Sequence, residues 1–146
     1  MNIQSDRRVS ELSVSILLRG DVAAAWPSLA DWIELGCSRL SGELTPEFIR
    51  DLATKGLAWI FEVRGSDGKP QGVLVLEVRD WPNGERVAQI LLLAGHDMHR
   101  WLHFLGDIEA FVKKHGISRI RFEGRFGWER ALKDYRPVRT VMEKVL

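Results

Sequence analysis

The chain has 146 residues, of which 45% are hydrophobic and 28% charged, and its net charge is +1, which predicts one globular domain spanning 1–146. Its single cysteine excludes an internal disulfide, its N-terminus lacks the layout of a signal peptide, and its longest apolar run, Ile90–Ala94, is too short to cross a bilayer. These features argue against a disulfide-stabilised secreted protein and a membrane protein, so we expect a cytoplasmic location.

The first part of the chain is predicted to hold one strand and two helices. Ser10–Leu18 alternates loosely between polar and apolar residues and is interpreted as a strand. Asp21 is placed to cap the helix that follows, and Pro27 either kinks this helix or starts a second one. Thr45-Pro46 is a strong helix start, because a capping hydroxyl precedes a proline at the first helical position. Gly56 is expected to end that helix.

Three strands joined by short turns are predicted next. They are Leu57–Val63, Gly72–Arg79 and Arg86–Leu93, separated by the loop Gly65–Pro70 and the turn Trp81–Gly84. Turns of this length favour antiparallel pairing, and the Asn-Gly pair supplies the backbone conformation that a hairpin needs. The third strand is apolar on both faces near its end, as expected of a central strand covered on both sides.

The last third of the chain is predicted to form a crossover unit. Asp97–His115 is an amphipathic helix that Gly116 ends, and Ile117–Glu123 alternates as a strand. The apolar stripe of the helix comprises Met98, Trp101, Leu102, Leu105, Ile108 and Val112. A strand, a long helix and a strand in this order require parallel pairing. A short helix, Trp128–Tyr135, and a closing strand, Thr140–Leu146, complete the prediction.

This order of elements resembles the fold of the GNAT acetyltransferases. The resemblance implies an α/β domain whose mixed, mostly antiparallel sheet has a central parallel crossover and helices on both faces. It covers about Leu57–Leu146. Within that superfamily, the phrase from Glu123 to Tyr135 (EGRFGWERALKDY) is similar to small acetyltransferase-like proteins of tailed bacteriophages.

Two functions follow from the resemblance, and both stay open. The first is that of an acetyltransferase-like protein. The second is that of a non-catalytic bacteriophage virion or accessory protein, which binds a protein partner in the host cytoplasm or in the virion. Fold alone does not decide between them.

The resemblance implies acetyl-CoA as the cofactor and places the cofactor loop at Gly95–Trp101. GNAT enzymes carry here an Arg/Gln-x-x-Gly-x-Gly/Ala loop, whose glycines let backbone N–H groups reach the pyrophosphate at a helix N-terminus. This chain has one glycine in the loop and several bulky residues, so the loop is degenerate and we expect weak or absent acetyl-CoA binding. The residues that the resemblance assigns to the cofactor are Leu92, Ala94, Gly95, His96 and Arg100.

The resemblance also implies direct attack of a substrate amine on the thioester, with Glu77 as the base and Tyr135 as the general acid. The family often places its acidic tyrosine four residues before a Gly-Phe pair. In this chain Arg136-Pro137 stands in place of that pair, and Leu132 occupies the tyrosine's position. Tyr135, the only tyrosine, lies at the end of the predicted helix. Enzymatic activity is therefore left open.

Two other groups of residues favour ordinary structural roles. His96, His99 and His103 share a helical face that Asp107 continues, and imidazoles at this spacing can bind zinc. No second Cys or His cluster completes a site, so we predict solvated histidines and no metal. Cys37 has no neighbouring His or Asp motif and is interpreted as a small buried residue rather than a nucleophile.

Basic residues are concentrated at the end of the chain. Lys113–Leu146 holds ten Lys/Arg against four Asp/Glu, a net charge of +6, whereas the rest of the chain has a net charge of −5. Arg119 and Arg121 project from the strand face predicted to include Ile117, and Arg125 lies in the following loop. These arginines could bind a phosphate or an acidic partner, or form a polar sheet face paired with nearby glutamates. No motif indicates specific nucleic-acid binding.

Overall fold

The computed structural model describes residues 2–3, 12–40, 42–96, 102–123, 130 and 132–146, which together form one six-stranded sheet flanked by helices. In chain order the elements are β1 (Asn2–Ile3), β2 (Leu12–Leu17), α1 (Val22–Ser38), α2 (Pro46–Thr54), β3 (Ala58–Gly65), β4 (Pro70–Asp80), β5 (Arg86–Gly95), α3 (Phe104–Lys114) and β6 (Ile117–Phe122). The strands lie side by side in chain order, and the predicted α/β fold class is confirmed.

The pairing of the strands follows the connections between them. β2, β3, β4 and β5 are joined by a helical pair and by short turns, and each pairs antiparallel with the next. β5 and β6 are connected through α3 and pair in parallel, which confirms the predicted crossover. β1, which the sequence did not predict, pairs antiparallel with β2.

Each face of the sheet is covered by its own helices. On one face α1 and α2 pack against Ile60, Val73, Val75, Leu92 and Ala94, all of which are buried. On the other face α3 packs against the alternate residues of the same strands, including Phe61, Leu74, Leu76 and Ile90. The sheet is therefore central, with an apolar core on either side. Among the described residues, no helix combines the length and the apolar character needed to cross a bilayer.

Close packing of α1 on the sheet depends on a glycine. A Cβ added to Gly36 would lie 2.6 Å from both Cγ and Cδ1 of Leu92, which is far inside ordinary van der Waals contact. In α3, by contrast, a Cβ added to Gly106 would meet nothing within 4 Å. The two helical glycines thus have opposite environments.

This contrast predicts opposite effects of the same substitution. Gly36→Ala should destabilise the protein by about 1–3 kcal/mol, because β5 and α1 must move apart. Gly106→Ala should stabilise it by about 0.5–1 kcal/mol, because alanine lowers the entropy cost of a helix without a clash. Urea denaturation of the two variants measures both values. Stabilisation by both substitutions would show that α1 does not approach β5 this closely.

Two capping residues were predicted in the first half of the chain, and the structure confirms the one that starts α2. Thr45 caps α2 as predicted, and its Oγ1 accepts the N–H of Phe48 at 3.2 Å with Pro46 at the first helical position. Asp21 makes no side-chain capping bond. It belongs to a 3₁₀ turn, and its backbone is helical rather than extended as a capping residue requires. α1 runs through Pro27 as one helix, so the predicted second helix start there is wrong.

The long crossover helix begins later than predicted. Leu102 and His103 form a turn, α3 starts at Phe104, and residues 97–101, which include the predicted core residues Met98 and Trp101, lie outside the described residues. The buried stripe of α3 is Phe104, Ile108 and Val112, with Leu105 half-buried beside it. Phe104 was missed because the predicted stripe was centred one position away from the buried face.

The predicted end of the chain is wrong in two respects. Thr140–Leu146 forms no strand, and its apolar side chains are exposed. Strand propensity does not suffice without a partner strand, and no described strand pairs with this segment. Leu132–Tyr135 forms a turn in which Tyr135 N–H bonds to the Leu132 carbonyl at 3.0 Å, and the following Pro137 disfavours helical continuation. Within the predicted helix, 128–135, Arg130 is helical, and residues 128, 129 and 131 lie outside the described residues.

Candidate active site

The gap between β5 and β6 is the feature on which the candidate site is built. The two strands pair from Arg86 opposite Ile117 to Ile90 opposite Phe122, and β5 then continues to Gly95 without a described partner on that side. Towards β4 the register shifts at the same level, leaving Leu91 as the extra residue of a β-bulge. The bulge bends β5 where it parts from β6.

The backbone of β5 beyond the bulge points into this gap at alternate residues. His96 donates its N–H to the Gln71 carbonyl at 2.8 Å, which makes these two residues a hydrogen-bonded pair of the β4–β5 ladder. Because hydrogen-bonded and non-bonded pairs alternate, Leu92 and Ala94 also bond to β4, while Leu93 and Gly95 direct their N–H and C=O groups to the gap. An extended ligand with amide groups can pair with these free groups as an added strand does.

On the α3 side the described residues that line this gap are all apolar. Leu93 of β5, Phe122 of β6, Leu102 before α3 and Leu132 of the C-terminal segment surround a cavity of about 10 Å³. Such a volume holds roughly one water molecule. The gap therefore has a backbone edge that offers hydrogen bonds and an apolar wall that keeps water out.

Glu77, the predicted base, lies on the opposite face, which carries α1 and α2. It stands in β4 directly opposite Gln89 of β5, and the sequence did not single out that glutamine. Both Glu77 carboxylate oxygens accept hydrogen bonds from Arg79, at 2.6 Å from Nε and 3.1 Å from Nη2. The carboxylate is thus fixed in direction beside Gln89.

Tyr135, the predicted acid, lies on the α3 face. Its hydroxyl donates to Glu109 Oε1 of α3 at 2.9 Å, and the ring is half-buried. Burial, with the nearby Glu109 carboxylate as the second cause, raises the pKa of the Tyr135 hydroxyl well above its ordinary value. The sheet lies between Tyr135 and Glu77, so the structure does not bring the two predicted catalytic residues together.

The raised pKa of Tyr135 has a measurable consequence. At a pH below about 10, the ordinary tyrosine value, both folded and unfolded chains keep the proton, and the contribution of the buried hydroxyl to stability is fully present. Above that pH the unfolded chain ionises first, so this contribution is lost as the pH rises. Because Tyr135 is the only tyrosine, the absorbance of tyrosinate reports it alone. We expect ionisation at a higher pH in the folded protein than in urea. Coincident titrations would contradict the buried hydrogen bond, and Tyr135→Phe serves as the control for stability against pH.

The structure also shows where the predicted histidines and the cysteine lie. His96 is exposed at the end of β5, and His103 is exposed before α3. Among the described residues no group of three or more His, Cys, Asp or Glu side chains is placed to hold a metal ion. Cys37 is buried in the core under α1, as predicted, and burial raises the pKa of its thiol, which disfavours the nucleophilic thiolate. Arg100, assigned to the cofactor phosphates, lies outside the described residues.

Arg119 and Arg121 lie on one face of β6, as predicted. Their neighbours, however, are residues of the β4–β5 hairpin. Arg119 pairs with Glu85, with 3.1 Å between Nε and Oε1, and its guanidinium lies 5.7 Å from the ring centroid of Trp81. Arg121 lies over the same ring at 4.5 Å. Ile117, predicted on their face, is instead buried in the α3 core, because the β5–β6 register shifts between Arg86 and Val87. The third predicted arginine, Arg125, lies outside the described residues.

Glu85 is the carboxylate that holds this cluster in place. It accepts a hydrogen bond from the Asn83 side chain at 2.8 Å and one from Ser118 at 3.3 Å. The Asn83 bond, followed by those of Arg119 and Ser118, lowers the pKa of the Glu85 carboxyl below its ordinary value. Arg119 is therefore already satisfied within the chain. This cluster was hard to predict, because Trp81 and Glu85 belong to a hairpin more than thirty residues from β6.

Comparison with known proteins provides structural relatives. No protein-family model and no curated protein sequence matches the chain. An aminoglycoside acetyltransferase from an uncultured soil metagenomic sample, solved with trehalose, superposes with a TM-score of 0.67 at 14% identity, covering 97% of this chain and 99% of that chain. A GNAT family acetyltransferase of Staphylococcus aureus superposes with a TM-score of 0.61 at 12% identity, covering 93% and 99%.

A ribosomal-protein-alanine N-acetyltransferase of Brucella melitensis biovar Abortus superposes with a TM-score of 0.59 at 19% identity, covering 92% of this chain and 97% of that chain. The chain has the GNAT fold. At these identities the likeness shows the fold alone, and activity is a separate question.

Proposed function

We propose that the protein is an N-acetyltransferase that binds acetyl-CoA mainly along the open edge of β5. The observation that carries this proposal is the bulge at Leu91, after which Leu93 and Gly95 present backbone groups that no described residue pairs. The pantetheine arm of coenzyme A is an extended chain with two amides, so it fits an edge of this kind. The acetyltransferase fold of the structural relatives supports the same proposal.

The residues present fit the arm of the cofactor better than its phosphates. Leu93 and Gly95 would hold the arm, and the apolar wall would shield the reacting group from water. Gly95 was among the residues assigned from the sequence, whereas Leu93 replaces Leu92 and Ala94, whose backbone groups bond to β4. His96 is engaged through its N–H with Gln71, and Arg100 stays a proposed phosphate contact. We therefore expect affinity to come from the arm, and to be modest because the glycine loop is degenerate.

Bound acetyl-CoA would supply a thioester carbonyl that an amine can attack directly. The chain's own contribution is to orient the amine and to accept its proton. Glu77 is the proposed base, because Arg79 fixes its carboxylate on the α1/α2 face of the sheet beside Gln89, which can orient the amine by a hydrogen bond. Tyr135 stays the acid that the resemblance implies, but its hydroxyl already donates to Glu109, and its raised pKa makes it a weaker acid than an ordinary tyrosine.

An assay of thiol release tests the proposed activity. Purified protein is incubated with acetyl-CoA and a mixture of small amines, and the free coenzyme A thiol is followed with a thiol reagent. We expect release that depends on protein and amine together and that falls at least tenfold in Glu77→Gln, a typical loss for a general base. Release that is equal with and without the amines would contradict N-acetyl transfer.

The alternative proposal is a non-catalytic protein that keeps the fold and binds a protein partner, as in a bacteriophage particle or an infected cell. It is favoured by one observation, the small volume of the cavity beside the gap, which Leu102 and Leu132 fill with their own side chains. Under this proposal the same assay shows no release, and acetyl-CoA does not change the melting temperature.

A further inference from the structure

The sheet face below α1 and α2 carries a row of polar side chains next to the gap. Glu77, Gln89 and Arg121 stand side by side on β4, β5 and β6. Arg121 immediately precedes Phe122, the last residue of β6 that pairs with β5. The Arg121 guanidinium lies over Trp81, which follows the end of β4 in the β4–β5 hairpin, so a group bound by it lies on the hairpin side of Gln89 and outside the gap itself.

Among the described residues of β4, β6 and the C-terminal segment near this row, three arginines have carboxylate partners. Arg79 pairs with Glu77, Arg119 with Glu85, and Arg139 with Glu123. Arg121 makes no ion pair with any residue in the described part of the chain. Its guanidinium is half-buried and lies 4.5 Å from the centroid of the Trp81 ring. Arg121 is thus the arginine of this sheet face that has no carboxylate partner among the described residues.

Stacking on Trp81 leaves Arg121 able to bind an anion. A guanidinium attracted to the face of an indole makes no hydrogen bond to the ring through this contact, so its N–H donors stay available to an anion. Those donors match the two oxygens of a carboxylate in a bidentate arrangement. The backbone of Trp81 is held in the hairpin by its main-chain N–H, which donates to the Glu85 carbonyl at 2.8 Å.

From this arrangement we propose that Arg121, stacked on Trp81, binds the carboxylate of the acceptor, so that the substrate is an amine that also carries a carboxylate. The proposal rests on the proposed acetyltransferase function for the identity of the bound molecule. In this arrangement Arg121 holds the carboxylate of the acceptor, and Glu77 and Gln89 face its amine. A second positive group on the acceptor would be repelled, so polyamines are poor substrates.

A binding experiment without cofactor tests the site by itself. The probe is γ-aminobutyrate, with propylamine as the same amine lacking the carboxylate, and the readout is the NMR signal of the Trp81 indole N–H. We expect a saturable shift with γ-aminobutyrate and none with propylamine. The shift should persist in Arg119→Gln and be lost in Arg121→Gln. An equal shift in Arg121→Gln, with both variants folded by thermal melt, overturns the proposal.

A kinetic experiment tests the role in substrate choice. β-Alanine, γ-aminobutyrate and ε-aminocaproate are each compared with the alkylamine of the same length. We expect Arg121→Gln to raise KM for the preferred amino acid by about tenfold to a hundredfold, the effect of one charged hydrogen-bonded contact, with kcat and the affinity for acetyl-CoA little changed. Arg121→Lys should recover part of the loss, since it keeps the charge without the bidentate geometry.

The two experiments separate this proposal from the proposed function. If thiol release is absent but the Trp81 signal still shifts with γ-aminobutyrate, the acetyltransferase function fails and the carboxylate site stands. If release occurs with alkylamines and amino acids alike, in wild type and in Arg121→Gln, the carboxylate proposal fails and the function stands. Weaker acetyl-CoA binding in Arg121→Gln would assign the arginine to the cofactor and overturn the proposal.

Discussion

Replacing Phe104 by alanine is expected to lower the free energy of unfolding by about 3–5 kcal/mol. The side chain is 1% exposed and begins the buried stripe of α3, where it packs with Ile108 and Val112 against the sheet. Truncation removes a large apolar surface from the core and leaves a cavity that the rigid sheet cannot fill. Denaturant unfolding of the variant and the wild type measures the difference.

The neighbouring histidine gives a matched control for this substitution. The His103 ring lies with its centroid 4.3 Å from that of Phe104, but its side chain is exposed. His103→Ala should change the free energy of unfolding by less than about 1 kcal/mol, as is usual for an exposed residue. A larger loss in His103→Ala than in Phe104→Ala would show that the buried face of α3 is assigned wrongly.

Gly95→Pro is expected to weaken acetyl-CoA binding by about tenfold with little effect on stability, since one buried hydrogen bond contributes roughly 1–3 kcal/mol when its partner is left unpaired. Proline removes the N–H that Gly95 directs to the gap, and no described residue uses that group. The β4–β5 ladder is kept, because it uses the N–H groups of Ala94 and His96 instead. Isothermal calorimetry with acetyl-CoA, together with a thermal melt, measures both effects.

Proline at the adjacent position 94 should have the opposite effect on stability. Ala94→Pro removes a ladder bond to β4 inside the sheet, so it should destabilise the protein by roughly 3 kcal/mol or more. If Gly95→Pro were the more destabilising of the two variants, the backbone directions of β5 would be reversed, and the free edge would belong to Leu92 and Ala94.

The part of the fold that local sequence determines was predictable. The hairpin at Trp81–Gly84 contains Asn-Gly, whose conformation sets antiparallel pairing, and the crossover from β5 through α3 leaves parallel pairing as the sterically accessible choice. Thr45 and Pro46 likewise act through neighbours in the chain. Each of these features depends on a few neighbouring residues or on the length of one connection, so it can be recognised in the sequence.

Elements that depend on a distant partner were not predictable. The segment 140–146 has strand propensity, but no described strand accepts it, and no property of the segment itself carries that information. Asp21 has the chemistry of a capping residue, yet the 3₁₀ turn before α1 gives it a helical backbone. The bulge at Leu91 adds a residue to one strand and is visible only when β4 is aligned beside it.

The candidate site shows the same division. Glu77, Arg119 and Arg121 were found from the sequence, because charged residues in strands attract attention. Trp81 and Gln89 were missed, since their significance comes from the register that places them beside β6. Neutralisation of Arg119 by Glu85 of the hairpin, instead of by Glu77 or Glu123, also required that register.

Amide signals of isotope-labelled protein during an acetyl-CoA titration test the central claim that the open edge of β5 binds the cofactor. We expect saturable shifts below about 1 mM ligand, a concentration equivalent to roughly 4 kcal/mol of binding free energy. Leu93 and Gly95 should shift most and exchange their amide hydrogens more slowly, whereas Leu92 and Ala94, bonded to β4, should shift less. The absence of any shift at saturating ligand, or shifts of Leu92 and Ala94 that exceed those of Leu93 and Gly95, would contradict it.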